Sequence, residues 1–250
     1  MLIFSRLSHA FWVLMIIIGL SSCSTINQSF EALKELTNSD TADTQVNSVQ
    51  KVAKVDGDLG LIFSEPRPIA IDRFKNSRQT LTGQQQNLVA SVYRFTSTTQ
   101  PVNNAAQLKA NLDAIETHIA SIGSIAIPSM LFLALGDGYM QLQQTDNAVS
   151  AWQQSVRINE YNYFAHDRLA QAYRQQGDFQ SAEQHYTDAL EAWPDFISGY
   201  RNRGILFDLY MGDKPRALND YQHYKQLLTL AGNSTREVDR WIKEMQRAIN

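Results

Sequence analysis

The side chains able to do chemistry are few. Cys23 is the only cysteine among 250 residues, so no internal disulfide can form and the thiol reads as one kept for modification. Beyond the N-terminal segment the histidines are His118, His166, His185 and His223. None stands in an HExxH arrangement or at a ligand spacing from a second histidine, a cysteine or a carboxylate cluster, so no metal site is expected. His166 and His185 read as surface or interhelix residues. Gly136-Asp137-Gly138 lacks the lysine and the serine or threonine of a phosphate loop, and close helix packing explains Gly136 better. There is no GxSxG nucleophile motif, and the carboxylates are scattered over helix surfaces. These observations point away from an enzyme and from any cofactor. What remains is recognition chemistry: Arg174 and Arg201 carry paired donors that suit a carboxylate.

The setting of Cys23 gives its thiol a use. Arg6 supplies positive charge, Phe11 to Leu20 form an apolar core, and Leu20-Ser21-Ser22 leads into the cysteine. An apolar run of about ten residues is a signal-peptide core, whereas a spanning helix needs about 20. Leu-Ser-Ser-Cys resembles the lipobox of bacterial lipoproteins. That resemblance implies a mature chain starting at Cys23, with acyl chains on its thiol and amino terminus. Ser24, rather than Asp, follows the cysteine, which in that family's sorting pattern implies the periplasmic face of the outer membrane of a Gram-negative bacterium. The net charge of -3 argues against a basic nucleic-acid binder.

Past the cysteine the chain divides by composition and periodicity. Residues 24 to 58 are rich in Ser, Thr, Asn, Gln and Asp and read as a tether, with a short helix over Phe30 to Leu36. Val46, Val49, Val52 and Val55 recur at a helical interval. Gly57, Gly60, Pro66 and Pro68 punctuate the next stretch, and the short apolar run Leu59 to Phe63 stays unassigned. Helical faces then appear at Ile69 to Leu81, at Leu88, Val92 and Phe95, and at Leu108, Leu112, Ile115 and Ile119. This middle region either continues a repeat array in degenerate form or makes a separate helical cap across it.

From Pro128 onward the chain repeats. Leu135, Gly136 and Tyr139 recur 34 residues later as Leu169, Ala170 and Tyr173, and Ala148 and Trp152 recur as Ala182 and Tyr186. Gly204 and Phe207 continue the series. After Gly212-Asp213 the register slips by one residue, placing Ala217 and Tyr221 in the small and aromatic positions. Val238, Trp241, Ile242 and Met245 form one stripe of a last helix, whose polar back suits the end of a solenoid. Gly177-Asp178 marks the turn inside the clearest unit, and Pro194 closes it. The division is a signal over residues 1–22, an acylated cysteine and tether over 23–58, a helical region over 59–127, and repeats with a capping helix over 128–250.

These units resemble the tetratricopeptide-repeat family over about 100 residues. The resemblance implies an all-α superhelix whose first helices line a concave groove for a partner protein or peptide. The groove positions carried over are Met130, Leu133, Asp137, Met140 and Gln141 in the first unit. They are Phe164, Asp167, Gln171, Arg174 and Gln175 in the second, and Ser198, Arg201, Ile205, Asp208 and Leu209 in the third. Trp152, Tyr173 and Tyr186 fall at core places. Trp193 is placed to seal a joint, Tyr161 and Tyr163 are candidates for exposed anchors, and Tyr210, Tyr221 and Tyr224 for an apolar shelf. With the lipobox, the architecture is similar to periplasmic lipoproteins such as NlpI-type adaptors of cell-wall hydrolases and pilotins of pilus secretins. The expectation is an outer-membrane-anchored, non-enzymatic adaptor for an envelope protein, bound to the membrane by lipid and to no nucleic acid. The alternative is a self-associating structural subunit of an envelope machine, whether a pilus, a secretin or a TonB-type system.

Overall fold

A computed structural model describes residues 70–96, 104–123 and 127–249. The signal, Cys23, the tether with its expected helices, and Leu59 to Phe63 lie outside the described residues. Among the described residues the chain is entirely helical. A short α1 (Arg73–Ser77) precedes α2 (Gly83–Thr96), α3 (Ala105–Ile122), α4 (Ser129–Gln141), α5 (Thr145–Ile158), α6 (Tyr163–Gln176) and α7 (Phe179–Ala192). Then come α8 (Ile197–Ile205), a π-helical segment (Leu206–Met211), α9 (Lys214–Leu230) and α10 (Arg236–Ile249). None of the described helices is long and apolar enough to cross a membrane.

Helices pair as α2 with α3, α4 with α5, α6 with α7, and α8 with α9, and each pair packs on the next. Both α2 and α3 touch α4, so the middle region extends the stack. The closing helix α10 lies against α9. Local chemistry starts several of these helices. The side chains of Asn104, Asn162, Asp178 and Asp213 each accept a hydrogen bond from a backbone N–H in the first turn, which satisfies donors a helix leaves open. The stripe expected in α3 is buried at Leu108, Leu112 and Ile115. The helix expected over 69–81 is only five residues long. Phe74 is its one core side chain, Ile71 is 64% exposed, and Arg78 leaves in extended conformation, so one apolar anchor cannot sustain more turns.

The small-and-aromatic repeat is a packing device. Gly136 lies against the Trp152 indole, and Gly204 against the Tyr221 ring. Ala170 and Tyr186 share one buried cluster. Each unit thus opposes a small residue on its first helix to a large ring on its second, which lets the axes approach closely. A Cβ at Gly138 would come within 2.5 Å of Leu112. The two glycines of the GDG run therefore admit a neighbour on either side.

The turn between the helices of a pair repeats too. Gly177 (φ 82°) and Gly212 (φ 68°) end their first helices in the left-handed region, and Gln143 (φ 60°) takes that place in the first unit. The slip in the third unit has a structural cause. Asp178 donates its backbone N–H to Tyr173 five residues back, whereas Asp213 donates to Phe207 six residues back. The extra residue is taken up by the π-helical turn, whose wider loop absorbs an insertion without moving the next helix.

Three substitutions separate packing from backbone strain. Gly136→Ala is expected to cost about 1–3 kcal/mol through overpacking against Trp152, while Gly83→Ala, where a Cβ meets nothing within 4 Å, is expected to be close to neutral. Gln143→Gly is expected to stabilise by about 1 kcal/mol by relieving the left-handed backbone. Urea unfolding midpoints at constant slope check all three.

Candidate functional site

A buried polar chain runs across the first helices of the stack. Asp137 of α4 accepts hydrogen bonds from the Trp152 indole N–H at 3.1 Å, from the Tyr93 hydroxyl of α2 at 3.3 Å and from the Arg168 guanidinium of α6 at 3.1 Å. Arg168 also donates to Asp167 at 3.2 Å. Asp167 in turn accepts from the Gln171 amide at 2.7 Å and from the Asn202 amide of α8 at 2.9 Å. Four successive first helices are thereby tied by one hydrogen-bonded line. Asp167 is fully buried, and that burial pushes its carboxyl above the usual range against the pull of Arg168, Asn202 and Gln171. Burial pulls the Arg168 guanidinium down, but Asp137 and Asp167 outweigh it and hold the pKa above the ordinary value. Tyr93 is raised well above its usual value, by burial first and then by Asp137.

This network revises the groove expected from repeat positions. Asp137 and Asp167 are consumed internally, and Arg168, one residue past the expected position, is the hub. Met130, Leu133 and Phe164 lie in the core at 2%, 1% and 2% exposure, and Ser198 is buried as well. Phe164 is covered from within the chain: Phe74 of α1 meets its ring at 6.2 Å and that of Tyr163 at 5.8 Å, and Phe196 completes the cluster. Tyr163 is therefore a core residue, not an exposed anchor. Asp208 is committed to the Lys214 ammonium at 2.5 Å and the Tyr221 hydroxyl at 3.2 Å. Arg201 stacks over Trp241 of α10 at 6.0 Å.

Met140, Gln141, Gln171, Arg174, Gln175, Ile205 and Leu209 remain at least partly open. Gln141 donates to the Phe95 carbonyl at 3.4 Å. Leu209 is 68% exposed, and Gln175 is also exposed. Arg174 lies over the Tyr210 ring at 5.4 Å, while its buried Nε has no hydrogen-bond partner. Tyr210, Tyr221 and Tyr224 form no shelf. Tyr210 packs on Phe179, and the other two pack on Trp241. Trp193 is half-buried against the core and Tyr161 sits under Arg73.

A family model for the tetratricopeptide repeat matches residues 133–195 and 168–206. The matched residues include Asp137, Trp152, Asp167, Arg168, Gln171 and Asn202 of the network, while Tyr93 of α2 lies outside them. The chain is similar to several solved structures. MamA of AMB-1 is 16% identical, covering 66% of this chain and 85% of that one with a TM-score of 0.48. The Arabidopsis OM64 TPR domain is 22% identical, covering 48% and 94% with a TM-score of 0.41. The first TPR of Spaghetti (RPAP3), bound to an HSP90 peptide, is 20% identical, covering 48% and 92% with a TM-score of 0.42. No curated protein matches the sequence.

Arg168→Met is expected to cost about 3–5 kcal/mol, because it strands two buried carboxylates without their counter-charge. Adding Asp167→Asn to that variant is expected to recover part of the loss, since an amide needs no counter-ion. Chemical denaturation of the single and double variants measures both steps.

Proposed function

We propose that this chain is an outer-membrane-anchored periplasmic adaptor, held by acyl chains on Cys23, that recruits an envelope protein through the open face around Arg174. The lipobox-like Leu20-Ser21-Ser22-Cys23 supports the anchor, and the polar stretch after it supports a spacer between membrane and repeats. The observation that carries the binding site is the state of Arg174. Its guanidinium lies over the Tyr210 ring with an unbonded Nε, and Leu209, the residue before Tyr210, has an exposed apolar side chain. A buried donor left unbonded costs about 1–3 kcal/mol. A partner carboxylate that draws the guanidinium away from the Tyr210 ring brings the Nε into reach and relieves that cost, while an apolar residue of the same segment covers Leu209. The exposed amide of Gln175, the residue after Arg174 in the chain, is available for the segment's backbone.

The test uses the full-length protein in its native membrane, with a photoreactive residue at Gln175. One dominant envelope partner is expected, with recovery reduced about tenfold or more by Arg174→Glu, the equivalent of about 1.4 kcal/mol. Products joining only two copies of the chain would replace the adaptor by a self-associating subunit, and the absence of any specific product would contradict the site. The anchor is read separately. Cys23→Ser is expected to abolish fatty-acid labelling and to move the protein out of the membrane fraction, whereas an unlabelled wild type would refute acylation.

A further inference from the structure

One cluster of chemistry-bearing side chains lies outside both the polar network and the open face. The hairpin of α6 and α7 brings together His166, His185 and Asp188, whose ligating atoms all fall within 4.8 Å of one another. His166 Nδ1 is 3.0 Å from His185 Nδ1 and 3.6 Å from the Asp188 carboxylate, and His185 Nδ1 is 3.9 Å from the same oxygen. These three separations put the point equidistant from all three atoms about 2 Å from each, the length of a Zn–N or Zn–O bond.

We propose that His166, His185 and Asp188 bind a divalent transition ion of the Zn2+ class, which clamps the two helices of the second repeat.

The surroundings prepare the ligands. His166 Nε2 lies 2.9 Å from the Glu160 carbonyl oxygen. A carbonyl only accepts, so Nε2 carries the proton and the Nδ1 lone pair points into the cluster. Such an outer hydrogen bond fixes the tautomer of a metal-binding histidine. Tyr173 stacks on the His185 ring at 5.4 Å and 2°, setting its plane. In the free protein His185 Nδ1–H donates to His166 Nδ1. On binding, the His185 proton moves to Nε2 and leaves both Nδ1 lone pairs for the ion. Burial lowers the pKa of His166, and burial together with His166 brings that of His185 down to about 4. Both rings are then neutral at physiological pH, the form that ligates. Two nitrogens and one carboxylate oxygen suit Zn2+ better than Ca2+ or Mg2+, which prefer oxygen ligands throughout. A cavity of about 370 Å³, lined among others by Glu160, His166, Asp188 and Glu191, adjoins the trio and has room for a water as fourth ligand. Arg73 is the one guanidinium lining that cavity, and Glu160 and Glu191 line it as well.

The site stands independently of the partner-binding face, and its test needs no partner. The full chain, stripped with EDTA and free of any histidine tag, is titrated with Zn2+ by calorimetry and with Co2+ by visible absorption. One equivalent is expected to bind, with the intense visible bands of tetrahedral Co2+ and a rise in melting temperature. His185→Gln and Asp188→Asn are each expected to weaken binding about 100-fold or more, to abolish the Co2+ bands, and to melt like wild type in EDTA. Cys23→Ser and His223→Gln are expected to leave binding intact. Affinity no tighter than millimolar, one-to-one binding that survives both His185→Gln and Asp188→Asn, or binding lost with Cys23→Ser would each overturn the proposal.

Discussion

The buried line from Tyr93 through Asp137, Arg168 and Asp167 to Asn202 is the constraint on which the stack depends. Two carboxylates and one guanidinium out of water are costly, and their attraction offsets that cost only when every remaining lone pair and N–H is met. Here Trp152, Tyr93, Gln171 and Asn202 meet them, and these residues come from α5, α2, α6 and α8. The network contributes little net stability compared with an apolar core of the same size. Its effect is on register. Sliding any pair by a turn would leave a buried charge unpaired, while the apolar stripes alone would tolerate the slip.

The same line explains the GDG run. Gly136 and Gly138 are small because Trp152 and Leu112 approach on either side, and that approach brings the Trp152 N–H and the α2 hydroxyl within reach of Asp137. Sequence, close packing and charge satisfaction are thus one arrangement. Farther along, the π-helical turn shows how the repeat tolerates an insertion. The extra residue lies in the last turn of a first helix, after Gly204 has met Tyr221, so the packing pair is kept and the left-handed turn at Gly212 still reverses the chain.

Much of this was legible in the sequence. The 34-residue recurrence of Leu169, Ala170 and Tyr173 and of Ala182 and Tyr186 locates the helices, because period and residue size are properties of the chain itself. The groove was less legible. Position within a repeat says which way a side chain points on an ideal solenoid. It does not say that Asp137 and Asp167 meet a buried arginine, or that Phe74, about ninety residues upstream of Phe164, covers that ring. The signal for the first was Arg168 itself, a charged residue between Asp167 and the core Leu169, with Asn202 at the matching place one repeat later. His166 and His185 stand 19 residues apart, a spacing that joins facing turns of a hairpin and matches no local ligand motif. Cys23 and the stretch after it lie outside the described residues, so the anchor rests on its sequence pattern.

The most direct measurement of the central claim is hydrogen exchange, helix by helix, on wild type and on Arg168→Met under native conditions. If the buried line couples the pairs, slow exchange in α2, α4, α6 and α8 drops together when the guanidinium is removed, including in helices that Arg168 never touches. Loss of protection confined to α6 and its immediate neighbours would show that each pair holds by its own apolar contacts, and would contradict the account.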